Sequence, residues 1–486
     1  MDTPDAVVVG SGPNGMAAAV ALALAGWKVL VREAAETLGG GARTMPLTLP
    51  GFQHDHCSAI HPLAAASPFF RVLPLAAHGL RLVEPPAACA HPFDDGTAAV
   101  LARSTEETGE TLGEDADAWR ALFDPLAAGF DALAVDVLGR LPRVPRRPLL
   151  LARFGAAALR PAQAFAEARF RGPRARALFA GLAAHAMRPL EASPTAAFGL
   201  LLGAAAHAVG WPFPAGGAQR ITDALASLLA AVGGDVATSA RVESLRELRA
   251  RRAVLLDVTP RQVLAMGGRM LPARYAGELG RFRYGPGAFK VDYALSGPIP
   301  WRAGACARAG TVHLGGTLEE IAAAERAAAA GELPVRPFTL VAQPSLFDAS
   351  RAPPGRHVAW AYCHVPHAFA GDALPALEAQ LDRFAPGFRD LVLARAVRGP
   401  AALERDDANL VGGDVGGGEV SLRQVLFRPA LRVVPWSTPL PGLFLCSSST
   451  PPGGGVHGMC GYLAALAALR ADARGRRWIT AAPRAG

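Results

Sequence analysis

The stretch Ala6-Val7-Val8-Val9-Gly10-Ser11-Gly12-Pro13-Asn14-Gly15 decides how the chain is read. Its four apolar residues, three of them β-branched, suit a short strand covered on both faces, and Gly10, Gly12 and Gly15 follow in Gly-x-Gly-x-x-Gly spacing. Met16 to Ala25 contains no helix breaker, Gly26 suits the residue after a helix, and Lys28-Val29-Leu30-Val31 reads as a second strand that runs into Arg32-Glu33. Strand, glycine turn, helix and strand make one βαβ unit of the Rossmann type. Gly10 makes the tight turn, Gly12 lets backbone N–H groups approach a pyrophosphate, and Gly15 lets the helix pack closely on the strand. Glu33 lies close to the ~20 residues beyond the motif at which a carboxylate receives the hydroxyls of an adenosine ribose.

The rest of the composition narrows the field. Of 486 residues, 51% are hydrophobic and 19% charged, which excludes a disordered or collagen-like chain. No apolar run reaches the roughly 18 to 20 residues of a membrane span. All but two of the 49 basic residues are arginine, the exceptions being Lys28 and Lys290, and they are interleaved with acids. The net charge of +8 therefore does not imply a nucleic-acid partner. Six cysteines, far apart and without a Cys-x-x-Cys pair, read as reduced and mostly buried. Met1 to Asp5 shows neither a positive n-region nor an apolar h-region, so the expected location is cytoplasmic.

Beyond Glu33 comes a second glycine cluster, Gly39-Gly40-Gly41-Ala42-Arg43-Thr44. Here the chain resembles the FAD-dependent amine oxidase and phytoene desaturase superfamily, whose signature places Gly-Gly and then an Arg and a Thr after the ribose acid. The resemblance implies FAD in place of NAD, with Gly40, Gly41 and Arg43 beside it. Near the other end, Gly442-Leu443-Phe444-Leu445-Cys446 leads through Ser447-Ser448-Ser449-Thr450-Pro451-Pro452 to Gly453-Gly454-Gly455-Val456-His457-Gly458, and a helix follows to about Arg470. This strand, glycine loop and helix resembles the C-terminal motif of the carotenoid-desaturase branch. The resemblance puts Gly454, Gly455 and Val456 at the flavin; Gly216-Gly217 and Val242 also match that branch. Three serines stand where the family has small residues, and an acid that many FAD proteins place nearby is missing.

The expected fold is α/β, a Rossmann-type FAD-binding domain with a discontinuous substrate domain of helices plus an antiparallel sheet. Residues 1–75, 212–270 and 425–486 form the first, and 76–211 and 271–424 the second. Ala76 to Val209 reads as mostly helical, and Arg474 onward as a surface tail.

Lys290 is the candidate catalytic residue. In a chain that otherwise uses arginine, a lysine on the expected strand Phe289–Leu295 points to a need for an ammonium's shape or for its ability to lose a proton. The segment also resembles the amine oxidase strand whose lysine holds a water near flavin N5 some residues before a Trp, here Trp301. His54, Asp55, His56, Cys57 and His61 form the densest group of possible ligands, with no metal expected, and His457 or Cys460 is a candidate for a covalent flavin bond. The function expected from the resemblance is hydride abstraction from carbon of a largely apolar small molecule or secondary metabolite, forming C=C, with O2 or a quinone as acceptor. Amine oxidation is the alternative, less favoured because five tyrosines leave little to frame an amine; a flavin-binding partner without net oxidation is the alternative of another class. Arg143, Arg146, Arg147, Arg153 and Arg160, alternating with Leu149, Leu150, Leu151 and Phe154, leave peripheral membrane contact open.

Overall fold

The computed structural model describes residues 3–140 and 144–478. The opening segment folds as its pattern requires: β1 (Ala6–Val9), α1 (Pro13–Leu24) and β2 (Val29–Arg32). Pro13 begins the helix where its missing N–H is not needed, and Gly26 takes φ +85° just after it. β1 pairs in parallel with β2 on one side and with Ala253–Leu256 on the other. Leu443–Leu445 and Asp235–Ala237 add the outer strands, completing a five-stranded sheet. Ala6–Val9, Ala253–Leu256 and Leu443–Leu445 are apolar and buried throughout because helices cover both faces.

The second sheet has seven strands. In order across it stand Val392–Arg398, Gly287–Leu295, His357–Val365, Thr339–Ala342, Ala309–Leu314, Ala87–Pro92 and Ala98–Leu101. The last two correct the expectation that everything from Ala76 to Val209 is mostly helical. Ala87–Pro92 is too alanine-rich to announce a strand, and its parallel pairing with Ala309–Leu314, more than two hundred residues away, makes it one. Helices occupy the remainder from Thr105 to Ala208, and the stretch from Ala116 to Val137 forms two of them, broken at Gly129. They pack over one face of the sheet around Trp119, Phe123, Phe179 and Leu200.

The chain end also differs from expectation. Trp478 is buried, its backbone N–H donates to the Arg252 carbonyl, and it sits so close to Gly442 that a Cβ there would meet its N at 2.0 Å. An indole offers more apolar area than the arginines around it suggest, and burying it docks the segment.

Candidate functional site

The first glycine loop is a backbone surface that side chains would fill. A Cβ on Gly15 would stand 2.1 Å from the Gly10 carbonyl oxygen, and one on Gly12 would stand 2.9 Å from Asp257 Oδ2. Gly40 lies against this loop, its Cβ position 3.3 Å from the Gly12 Cα. The two loops are tied together through Ser11: the Gly39 N–H donates to Ser11 Oγ at 3.2 Å, and Ser11 Oγ donates to Glu33 Oε2 at 2.6 Å. Glu33 also accepts from the N–H groups of Ser11 and Ala35, both at 2.8 Å. These bonds hold a buried carboxylate at the end of β2 and leave acceptor capacity on Oε1. Arg43 donates to the carbonyls of Gly40 and Asp406, which shapes the second loop from behind.

At the far end of the chain, Val456 holds φ +56°, a strained conformation for a β-branched residue, while Gly454 and Gly455 are exposed. The helix Met459–Asp472 that follows packs directly on α1: a Cβ on Gly461 would meet the Asn14 carbonyl oxygen at 1.8 Å. Two helix N-termini thereby face one region. Val242 packs with Val7, Val9 and Leu245 in the core.

From Gly41 the surface continues to Cys57, 3.5 Å from its Cβ position, and Cys57 and Tyr362 both border the small apolar cluster of Ala288, Leu403 and Leu410. Tyr362 is the register partner of Lys290. Lys290 is 3% exposed, and its Nζ donates to Asp292 Oδ1 at 2.5 Å; Asp292 Oδ2 accepts from Arg398 at 2.8 Å. Burial lowers the Lys290 pKa, and Asp292 opposes that shift. Arg398 also donates to His56 Nδ1 at 2.6 Å, which places the His56 proton on Nε2, and burial with Arg398 close by lowers its pKa to about 2. His54 bonds to Thr48 Oγ1 and His61 to Ser58 Oγ, so the histidine group supports the lysine row and strand register. Among the described residues, no three His, Cys, Asp or Glu side chains are placed to hold a metal ion.

Trp301 packs with Ile299 and Ala303 on the opposite face of the sheet from Lys290. The aromatic beside the lysine row is Trp360, register partner of Asp292, and it stacks on Tyr362 with centroids 5.6 Å apart. His457 accepts from the Met459 N–H, and Cys460 Sγ donates to the Thr450 and Gly453 carbonyls, its pKa pushed up to about 12 by burial.

Several residues escaped the sequence reading. Asp257, just past Ala253–Leu256, accepts the Gly15 N–H at 2.8 Å, and burial pushes its pKa up to about 7, with Asp407 and Glu33 adding to the shift. Asn409 binds the same corner, donating to the Asp257 carbonyl and accepting from the Thr259 N–H. Asp414 gathers the N–H groups of Gly285, Gly416 and Gly418, and this third glycine loop lies over Gly454, whose Cβ position is 2.8 Å from the Gly416 carbonyl oxygen. A lone acid directly after a buried strand, and Gly412-Gly413-Asp414-Val415-Gly416-Gly417-Gly418, were the available signals.

A family model of the NAD(P)-binding Rossmann-like domain matches residues 8–73. Pyridine nucleotide-disulfide oxidoreductase domain-containing protein 2 of Mus musculus is 28% identical across 96% of this chain and 93% of its own length. Among solved structures, an oxidoreductase from Methanosarcina mazei aligns with a TM-score of 0.63 at 16% identity, covering 96% of this chain and 99% of that one. Putrescine oxidase bound to putrescine aligns with a TM-score of 0.61 at 18% identity, covering 97% and 99%. The fold and the glycine cradle thus define the class, a Rossmann-type dinucleotide-binding architecture with a separate, largely antiparallel sheet.

Proposed function

We propose that this chain is a FAD-dependent oxidoreductase that abstracts hydride from carbon. What carries the reading is the continuity of the site: two glycine loops and two helix N-termini adjoin a buried row of Lys290, Asp292 and Arg398 on the facing sheet. The residues fit the cofactor. Gly10, Gly12, Gly15, Gly40 and Gly41 form a cradle that a Cβ would fill, Glu33 retains acceptor capacity for a ribose, and Gly454, Gly455 and Val456 present backbone where a flavin ring would rest. When bound, FAD supplies the hydride acceptor. The chain's own part is to exclude water and to hold a proton at Lys290 Nζ, whose charge Asp292 balances. In the resemblance-based form of the reading the product is a C=C bond, and O2 or a quinone takes the electrons.

The amine-oxidising reading gains from one observation. The face beside Lys290 is aromatic, with Trp360, Tyr362 and His364 at alternate positions of one strand, a frame that the five tyrosines of the sequence did not suggest. A panel of alkenes, alcohols and amines mixed anaerobically with the purified protein tests both readings. Bleaching of the flavin by a carbon–hydrogen donor is expected, and an imine-derived carbonyl product would select the amine reading. Lys290→Met should keep the flavin but slow its reduction or reoxidation at least tenfold, about 1.4 kcal/mol of barrier. A flavoprotein that no member of the panel bleaches would favour a flavin-binding partner without net oxidation, and a protein that takes up no FAD would end the proposal.

A further inference from the structure

The arginine-rich segment that the site leaves unused borders a cavity of its own. The helix Pro148–Ala158 lies on the outside of the helical layer, with Phe154 and Ala158 turned inward. Leu149 is 88% exposed, and Val144 and Leu159 beside the helix are exposed as well. Arg143 lies outside the described residues. Where this helix meets Ala116–Ala128, Ala162–Arg169 and Ala196–Ala208 there is a cavity of about 320 Å³, the lower end of the size of small-molecule sites. Leu122, Phe154 and Phe165 form its apolar wall, and Arg153, Arg160 and Arg169 stand around it. None of its lining residues belongs to the glycine loops or to the row at Lys290.

The charge there is uncompensated. Each guanidinium is held by a main-chain carbonyl: Arg153 by Ala121 at 2.9 Å, Arg160 by Ala164 at 3.3 Å and Arg169 by Ala118 at 3.0 Å. Arg160 also lies over the Phe165 ring, 5.4 Å from its centroid. Among the described residues none of the three has a carboxylate partner, and Arg169 Nε is buried without a hydrogen bond. Some arginines elsewhere are ion-paired, as Arg261 is with Glu404 and Arg383 with Asp94 and Glu320. Three cations around one apolar hollow repel each other, and an anion would relieve that repulsion while accepting their spare N–H groups. The hollow itself favours hydrocarbon.

We propose that this cavity binds an anionic amphiphile, its carboxylate or phosphate head held by Arg153, Arg160 and Arg169 and its tail lying against Leu122, Phe154 and Phe165. The exposed Val144, Leu149 and Leu159 would let the mouth rest on a lipid surface, so the anion could be a lipid headgroup or a free amphiphile.

The test uses the full chain as purified, titrated calorimetrically with decanoate, decyl phosphate, decan-1-ol and inorganic phosphate. Decanoate and decyl phosphate should bind at least tenfold more tightly than decan-1-ol or phosphate, and Arg153→Met with Arg160→Met should remove that advantage while leaving decan-1-ol unchanged. Co-sedimentation with phosphatidylglycerol vesicles but not phosphatidylcholine vesicles, lost in the double variant, would identify a headgroup as the source. Decanoate binding without co-sedimentation would identify a free amphiphile; either outcome supports the site. Equal affinity for decanoate and decan-1-ol, equal affinity for decanoate and phosphate, or an unchanged double variant would overturn it. If the double variant does not fold, salt decides: raising it from about 0.05 to about 0.5 M must weaken decanoate and spare decan-1-ol, and equal effects would overturn the proposal.

Discussion

In the five-stranded sheet the buried carboxylates Glu33 and Asp257 stand just past the ends of strands, whereas in the seven-stranded sheet Lys290, Asp292 and Arg398 stand side by side on one face. The first arrangement surrounds a surface made of backbone, glycine N–H groups and helix N-termini. The second is made of side chains, and Asp292 takes one cation, Lys290, from its own strand and the other, Arg398, from the neighbouring strand. A site at strand ends tolerates change in the strands but not in its glycines. A site on a sheet face tolerates change in the loops but not in its register.

The largest effect should come from filling the backbone surface. Gly12→Val puts a branched side chain where even a Cβ lies 2.9 Å from Asp257 Oδ2, and purified Gly12→Val should show no flavin absorbance above background. Retention of FAD at the wild-type level would remove the first glycine loop from the site.

Next in size is the row on the other sheet. Arg398→Met leaves Asp292 paired with Lys290 alone and should cost about 3 to 5 kcal/mol in urea unfolding, the scale for a buried pair deprived of one member. A loss below about 1 kcal/mol would show that the row is solvated in solution and that the contrast between the sheets is false.

Glu33→Gln should weaken FAD binding by roughly 1 to 3 kcal/mol, read from the dissociation constant after reconstitution. Because Glu33 accepts from Ser11 and Ala35, part of this loss will come from a loosened loop, and Ser11→Ala measures that part. Unchanged affinity in Glu33→Gln would refute the ribose assignment.

The smallest effect is a pH dependence. Asp257 has its pKa pushed up to about 7, above its ordinary value, so its ionised form is disfavoured in the folded chain, and a pyrophosphate nearby would disfavour it further. The stability associated with the neutral carboxyl is complete below its unfolded pKa and is lost as pH rises through about 7. FAD affinity should therefore fall above neutrality, by up to about tenfold per pH unit, equivalent to about 1.4 kcal/mol. Asp257→Asn should flatten the profile; an identical slope in the variant would assign the titration to another group, with Asp407 the first to examine.

Read without a fold, the chain yielded β1, α1, β2 and the glycine loops, because their information is local: a turn that needs glycine and a helix that starts at Pro13 are set by neighbours a few residues away. The same holds for Met459–Asp472, whose helical composition is plain. Tertiary structure alone decided the rest. Ala87–Pro92 is a strand because Ala309–Leu314 offers it hydrogen bonds. Asp257 meets Gly15, and Arg398 meets Asp292, only through parallel and antiparallel pairings that join segments more than a hundred residues apart. The strand register, not sequence proximity, set Tyr362 and Trp360 beside Lys290 and Asp292, since side chains alternate across a strand and one residue's shift reverses the faces, while Trp301, past the end of that strand, packs with the residues of the other face.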